Sequence, residues 1–214
     1  MAPYEILQYF RERQPAIVDS IHEIVEIESP SYDVERSLEV VRWVEAAAAE
    51  VPLDIEMTRI PAENYGEHLL IRAFPGSGKQ AMLLGHTDTV HPVGTNAQNP
   101  TRIDEGRFYG CGIFDMKANI VLMLEALRFF AASGLKPARP ITVLLSCDEE
   151  VGSATGRSIV EAEALRSEFC LVCERFVCAC FVFYIPQTSR LRSAVFTCSS
   201  HVGFPIVPTD WRLY

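Results

Sequence analysis

The chain has 214 residues, 49% of them hydrophobic and 22% charged, with a formal net charge of −9. That apolar content excludes a disordered chain, which could not offset its ordering entropy, and no repeat marks a fibrous one. The acidic balance argues against a nucleic-acid or anionic-membrane partner, because either needs a basic face.

The length suits one large domain or two small ones. Residues Met1–Gln14 mix Glu5, Arg11, Glu12 and Arg13 with apolar positions and contain no run of signal-peptide length, so a cytoplasmic start is expected. No stretch reaches the roughly 18 apolar residues of a membrane span; Phe176–Pro186 is too short. Seven cysteines, an odd number with no sign of secretion, are expected to be reduced.

From Pro15, residues Ile17, Ile21, Ile24 and Val25 form one stripe of an amphipathic helix, with the proline in its first turn. After the Ser29-Pro30-Ser31 breaker, Val34, Leu38, Val41 and Val44 form a second. Leu53–Ile60 and His68–Phe74 read as strands. Pro75-Gly76-Ser77-Gly78 reads as a hairpin turn into a third strand, Ala81–Leu84; its spacing does not match a phosphate loop. Ile120, Leu124, Leu127 and Ala131 mark a helix, Ile141–Leu145 a strand, Ser153–Leu165 a helix and Phe169–Cys173 a strand. This alternation predicts an α/β fold with a mixed, largely parallel sheet flanked by helices, in which ligands bind where loops leave the carboxyl ends of the strands.

Acids and imidazole gather at those ends. The third strand runs into Gly85-His86-Thr87-Asp88, where His86 and Asp88 leave the same face of an extended chain. Gly112-Ile113-Phe114-Asp115-Met116-Lys117 opens a helix, and Asp115 taken alone would be an N-cap. Ser146-Cys147-Asp148-Glu149-Glu150-Val151-Gly152-Ser153 follows the next strand, and Val172-Cys173-Glu174 ends the last. Three consecutive carboxylates repel one another unless they are solvated or a positive charge sits among them. Oxygen ligands with one imidazole suit zinc or another divalent first-row ion, and a shared Asp could bridge two ions.

Four motifs in this order resemble the dinuclear zinc exopeptidase and amidohydrolase family that includes glutamate carboxypeptidase, aminoacylase, acetylornithine deacetylase and succinyl-diaminopimelate desuccinylase. The likeness spans Ile6–Glu174 and is greatest to glutamate carboxypeptidase. It implies that His86 and Glu174 bind one zinc, Asp115 bridges, and Glu150 binds the second. It further implies that Asp88 orients His86 and that Glu149 is the general base. The implied reaction is hydrolysis of an amide bond next to a free carboxylate in a small peptide or N-acyl amino acid, with cobalt or manganese as alternatives to zinc. Ala118-Asn119 stands where the family usually has glycine.

Family members are longer. They carry an inserted lid, which also forms the homodimer interface, and a final His for the second zinc. Here composition breaks after Glu174. Residues 1–174 hold 15 bases and 27 acids, a charge of −12, whereas 175–214 hold four Arg, one acid (Asp210) and eight aromatics. Residues 1–174 are therefore expected to form the N-terminal part of the catalytic domain, and 175–214 a divergent tail outside it. With the lid and its dimer interface missing, such a truncated chain is expected to hold one zinc and to be weakly active or inactive. Cys170, Cys173, Cys178 and Cys180 are spaced too closely for an ordinary four-thiolate zinc site. Ser199-Ser200-His201-Val202-Gly203 is similar to a lid segment of the family, a likeness most simply due to chance. His22, His68 and His91 read as exposed or turn residues.

Overall fold

The structure, a computed structural model, describes residues 2–173 together with the strands at 179–184 and 192–197. Helices α1 (Pro3–Glu26) and α2 (Val34–Ala49) precede the antiparallel pair β1 (Ile55–Ala62) and β2 (Gly66–Ala73). Next come β3 (Gln80–His86), the short helix α3 (Thr95–Gln98) and a small hairpin of β4 (Arg102–Asp104) and β5 (Arg107–Tyr109). A wound turn, Ile113–Lys117, leads into α4 (Ala118–Ser133). The remaining elements are β6 (Ile141–Ser146), α5 (Arg157–Arg166), β7 (Ser167–Val172), β8 (Ala179–Tyr184) and β9 (Arg192–Thr197).

The large sheet has the order β1-β2-β6-β3-β7-β8-β9. It is mixed: β3 runs parallel to both β6 and β7, and the outer pairs are antiparallel. The three parallel strands at the centre thus release their carboxyl ends side by side, with His86 in register with Ser146. Leu69 and Ile71 of β2, with Val143 and Leu145 of β6, face the main core against α1, α2 and α4. Leu70 and Leu144 point the other way, with Met82 and Cys170, toward Ile159 and Val160 of α5. Strands buried on both faces become apolar throughout, which is why β6 shows no alternation.

Several elements differ from the sequence-based expectation, helix α1 and the Pro75–Gly78 turn among them. Helix α1 starts twelve residues before Pro15 and runs through it, although a proline inside a helix removes a backbone hydrogen bond. Tertiary contacts hold the first half in place: Tyr9 and Phe10 pack edge-on and tilted against Phe129, and Arg13 pairs with the buried Glu125 at 2.7 Å. The Pro75–Gly78 segment turns the chain without making a hairpin, because β6 lies between β2 and β3. Local turn chemistry cannot reveal a strand inserted later in the chain. Helix α2 buries Ser37, Val40, Val41, Val44 and Ala48, so its core face shares only Val41 and Val44 with the expected stripe, Val34 being exposed and Leu38 half-buried; Asp33 caps it by accepting from the Arg36 N–H.

Helix α5 is tied to the sheet by a polar network at the end opposite the central strands' carboxyl termini. Arg72 donates to both oxygens of Glu163 at 2.9 and 3.1 Å, and Gln80 donates to Glu163 at 2.9 Å. Thr142 donates to Gln80. Burial pushes the Glu163 carboxyl up, but the hydrogen bonds from Arg72 and Gln80 and the charges of Arg72 and Arg166 outweigh it and hold the carboxyl below its usual range. A carboxylate so depressed stabilises the fold above its unfolded-state pKa, and the contribution is lost as pH falls through the folded-state value. Glu163→Gln is expected to cost about 1.5–3 kcal/mol at pH 7 in urea unfolding. The difference from the parent should shrink as pH falls below the ordinary carboxylate range, where the parent's own depressed carboxyl gains its proton. A difference that stayed constant from pH 7 to pH 3 would contradict this role.

Candidate metal centre

His86 closes β3 and is 1% exposed. Its Nδ1 lies 2.9 Å from the Asp88 carbonyl oxygen and 3.3 Å from Asp88 Oδ1. Both partners only accept, which places a proton on Nδ1 and turns Nε2 toward the acids. Nε2 faces Asp115 Oδ1 at 3.2 Å and Glu149 Oε2 at 3.8 Å. Ligand atoms from His86, Asp115 and Glu150 lie within 4.8 Å of one another. The structure therefore brings five of the six residues singled out from the sequence, His86, Asp88, Asp115, Glu149 and Glu150, into one cluster. The sixth, Glu174, lies outside the described residues, as do Cys178 and the segment 198–214; the side chain of Cys180 is likewise not described.

Asp115 reaches the cluster through a close approach of the Met116 side chain to the β3 backbone at Gly85. The turn Ile113–Lys117 carries non-helical dihedrals at Asp115 and Met116, and the peptide between them is cis. Met116 is fully buried against Gly85, where an added Cβ would come within 2.3 Å of the Met116 methyl carbon. The main-chain N–H of His86 also points at the Met116 sulfur, 3.1 Å away. Glycine before His86 is thus what lets the Asp115 turn lie on β3. Gly112, at φ 70°, starts the turn in the left-handed region. Lys117 ends it, 1% exposed, with its ammonium donating to the Ile27 carbonyl. Burial lowers the Lys117 pKa to about 8 against the opposing charges of Glu28 and Cys111.

The acidic run after β6 splits in two. Glu149 and Glu150 sit half-buried in a short turn, Glu149–Val151, beside His86, whereas Asp148 is fully buried and faces away. Burial raises the carboxyls of both glutamates; the charges of Asp115 and Asp88 add to the rise and His86 opposes it. Among the described residues no lysine or arginine pairs with Asp115, Glu149 or Glu150. A half-buried set of three carboxylates around one imidazole lone pair, without a basic side chain, fits a divalent cation in both charge and donor type.

Asp88 does more than face the imidazole. It accepts from the Ser31 hydroxyl at 2.7 Å and from the main-chain N–H groups of Glu149 and Glu150 at 3.2 and 3.1 Å. Burial pushes its carboxyl up, and these hydrogen bonds, led by His86 and Ser31, outweigh it and hold the group ionised below its usual range. The Ser29-Pro30-Ser31 breaker therefore has a second duty. Ser29 and Thr89 are joined by a main-chain hydrogen bond of 2.8 Å, which carries Ser31 to Asp88. Nothing in the local spacing of Ser31 signals this.

His68 corrects the expectation of an exposed or turn residue: on β2 it is completely buried, between Thr155 at 2.9 Å and the Cys147 N–H at 3.3 Å. Burial lowers its pKa, which favours the neutral ring. Helix α5 begins at Arg157 rather than Ser153, because Ser153–Gly156 are used in binding Asp148. Among the described residues no helix is long and apolar enough to cross a membrane.

A family model for peptidase family M20/M25/M40 matches residues 82–199. Carboxypeptidase G2 of Pseudomonas sp. (strain RS-16) is 27% identical over 166 residues, which are 78% of this chain and 40% of the relative. Acetylornithine deacetylase of Proteus mirabilis (strain HI4320) is 33% identical over 139 residues, 63% of this chain and 34% of the relative. The chain thus spans well under half the length of these relatives. Human carnosine dipeptidase 1 superposes with a TM-score of 0.67 at 21% identity, over 82% of this chain and 42% of that one. The dipeptidase Dug1p of Saccharomyces cerevisiae gives 0.66 at 17%, over 80% and 41%; at such identities the likeness speaks for the fold. With a family match over more than half its length, the chain belongs to peptidase family M20/M25/M40, a family of metal-dependent hydrolases.

Proposed function

We propose that residues 1–174 are the metal-binding part of a zinc-dependent exopeptidase of carboxypeptidase type, which cleaves an amide bond next to a free carboxylate. The observation that carries this reading is the convergence of His86, Asp115 and Glu150 within 4.8 Å, with Glu149 at its edge. His86 and Glu174 would hold one ion, Glu150 the other, and Asp115 would be shared. A divalent ion bound there supplies Lewis acidity, which polarises a carbonyl and makes water acidic enough to attack at neutral pH.

The chain's own groups do the rest. Asp88 keeps the His86 Nε2 lone pair turned inward by accepting from Nδ1. Glu149, with a side chain 38% exposed, reaches both the cluster and solvent, a position from which it takes a proton from attacking water and passes it to the leaving amine. Carboxypeptidase G2, matched over the larger share of this chain, favours release of a C-terminal amino acid. The acetylornithine deacetylase match favours a second reading, removal of an N-acyl group by the same site. Release of glutamate from an acylated or peptidyl glutamate, compared with release of acetate from N-acetyl amino acids, separates the two.

The ligands read from these 214 residues provide three groups for the first ion and two for the second. After dialysis the chain is expected to keep about one zinc and to turn over weakly, and His86→Ala is expected to keep none. Glu149→Gln should retain the zinc and abolish any turnover. Equal zinc in the parent and His86→Ala would contradict the site, while two firmly held zincs with rapid turnover would contradict the single-ion state. Asp88→Ala, which frees both the imidazole and the Glu149–Glu150 turn, should weaken zinc binding by about 10- to 100-fold in a chelator competition. Unchanged affinity would show that Asp88 orients nothing.

A further inference from the structure

Behind the half-buried glutamates lies a second polar group that the proposed chemistry does not use. Residue Leu69 of β2 pairs with Leu145 of β6, so His68 stands beside the point where the chain leaves β6. The Cys147 N–H donates to His68 Nδ1 at 3.3 Å, which makes Nε2 the protonated nitrogen. Nε2–H donates to Thr155 Oγ1 at 2.9 Å, and the Thr155 hydroxyl donates to Asp148 Oδ2, again at 2.9 Å. The same oxygen accepts the main-chain N–H groups of Thr155 at 2.7 Å and Gly156 at 3.3 Å. Asp148 also accepts at its carbonyl from the Ser153 N–H, 2.8 Å away.

We propose that His68, Thr155 and Asp148 form a buried relay of positioning residues that fixes the turn carrying Glu149 and Glu150, and so sets the affinity of the metal centre. The inference rests on reading Glu150 as a metal ligand. Its physical basis is the like charge of the two glutamates and Asp115, which drives the turn away from the cluster whenever no cation is present. Four consecutive residues oppose that retreat: Cys147 is held at its N–H by His68, Asp148 at its carboxylate by Thr155 and at its carbonyl by Ser153, and Glu149 and Glu150 at their N–H groups by Asp88. Asp148 is completely buried, and its Oδ1 has no hydrogen-bond partner among the described residues. A buried carboxylate so incompletely paired is costly as packing, and its contacts are all with the segment that closes the turn. Gly156 leaves room for it, since a Cβ there would lie 2.9 Å from Asp148 Oδ1.

The test compares Thr155→Val, which keeps the side-chain shape and removes the hydroxyl, with Thr155→Ser, which keeps the hydroxyl. Affinity of the 214-residue chain for the second equivalent of zinc, the ion that Glu150 would hold, is measured by calorimetric titration of the one-zinc form, and the melting temperature of each metal-free form is recorded beside it. Thr155→Val is expected to bind zinc about tenfold more weakly, and Thr155→Ser to return close to the parental value. His68→Asn, which keeps an acceptor near the Cys147 N–H but cannot reach Thr155, is expected to show the same loss and serves if the valine variant does not fold. A lowered melting temperature with parental zinc affinity in Thr155→Val would mean a purely structural network and overturn the proposal, as would a serine variant as weak as the valine one. Glu150→Gln run in parallel keeps the two readings apart. Parental affinity there would remove Glu150 as a ligand, whereas loss there with no loss in Thr155→Val would remove the relay alone.

Discussion

Three carboxylates meet one imidazole lone pair at the edge of a buried sheet, and the described structure supplies no basic side chain to neutralise them. Water screens such a cluster poorly when it is half-buried, and burial, with the charge of Asp115 adding to it, raises the carboxyls of Glu149 and Glu150. Every nearby feature serves to keep these groups together despite that repulsion. Parallel pairing of β3 with β6 and β7 puts their ends side by side. Gly85 admits Met116 and with it the Asp115 turn, and Asp88 holds both the imidazole and the turn after β6. Such an assembly fits a divalent cation in charge and donor type.

Division of labour among the acids follows from burial. Asp88 and Asp148 are fully buried and accept hydrogen bonds from the chain, so their role is to hold backbone and imidazole in place. Asp115 and Glu149 keep about a third of their side chains in solvent. They are the groups free to meet a ligand. Adjacent residues of identical charge thus acquire different tasks from the direction each takes out of one turn, with Asp148 facing His68 and Glu149 facing His86.

Much of this was legible in the sequence because the determinants are local. The strands at 80–86 and 141–146 are apolar runs that end abruptly in polar residues, with His86, Asp88, Glu149 and Glu150 at or just beyond those ends, whereas Asp115, in the 113–117 turn, reads as an N-cap by itself and joins the set through the resemblance of the four motifs to the family. What escaped depended on contacts between distant segments. Pro15 looked like a helix start because nothing nearby shows that Phe129 and Glu125 will hold the preceding turns. His68 reads from the sequence as an exposed or turn residue; its buried setting depends on Thr155, 87 positions away. Ser31 looked like part of a helix breaker, and its partner Asp88 is 57 positions distant. The family match, running to residue 199, extends past the composition break at residue 174.

The central claim is that His86 and oxygen ligands from Asp115 and Glu150 form a metal centre. X-ray absorption at the zinc edge of the zinc-loaded 214-residue chain tests it most directly, since it reads ligand type rather than affinity. The account predicts a first shell of nitrogen and oxygen at about 2.0–2.2 Å with outer-shell scattering from one imidazole, and loss of that imidazole signal in His86→Ala. A sulfur shell at about 2.3 Å, which would move the metal to the cysteines, or an unchanged spectrum in His86→Ala, would contradict it.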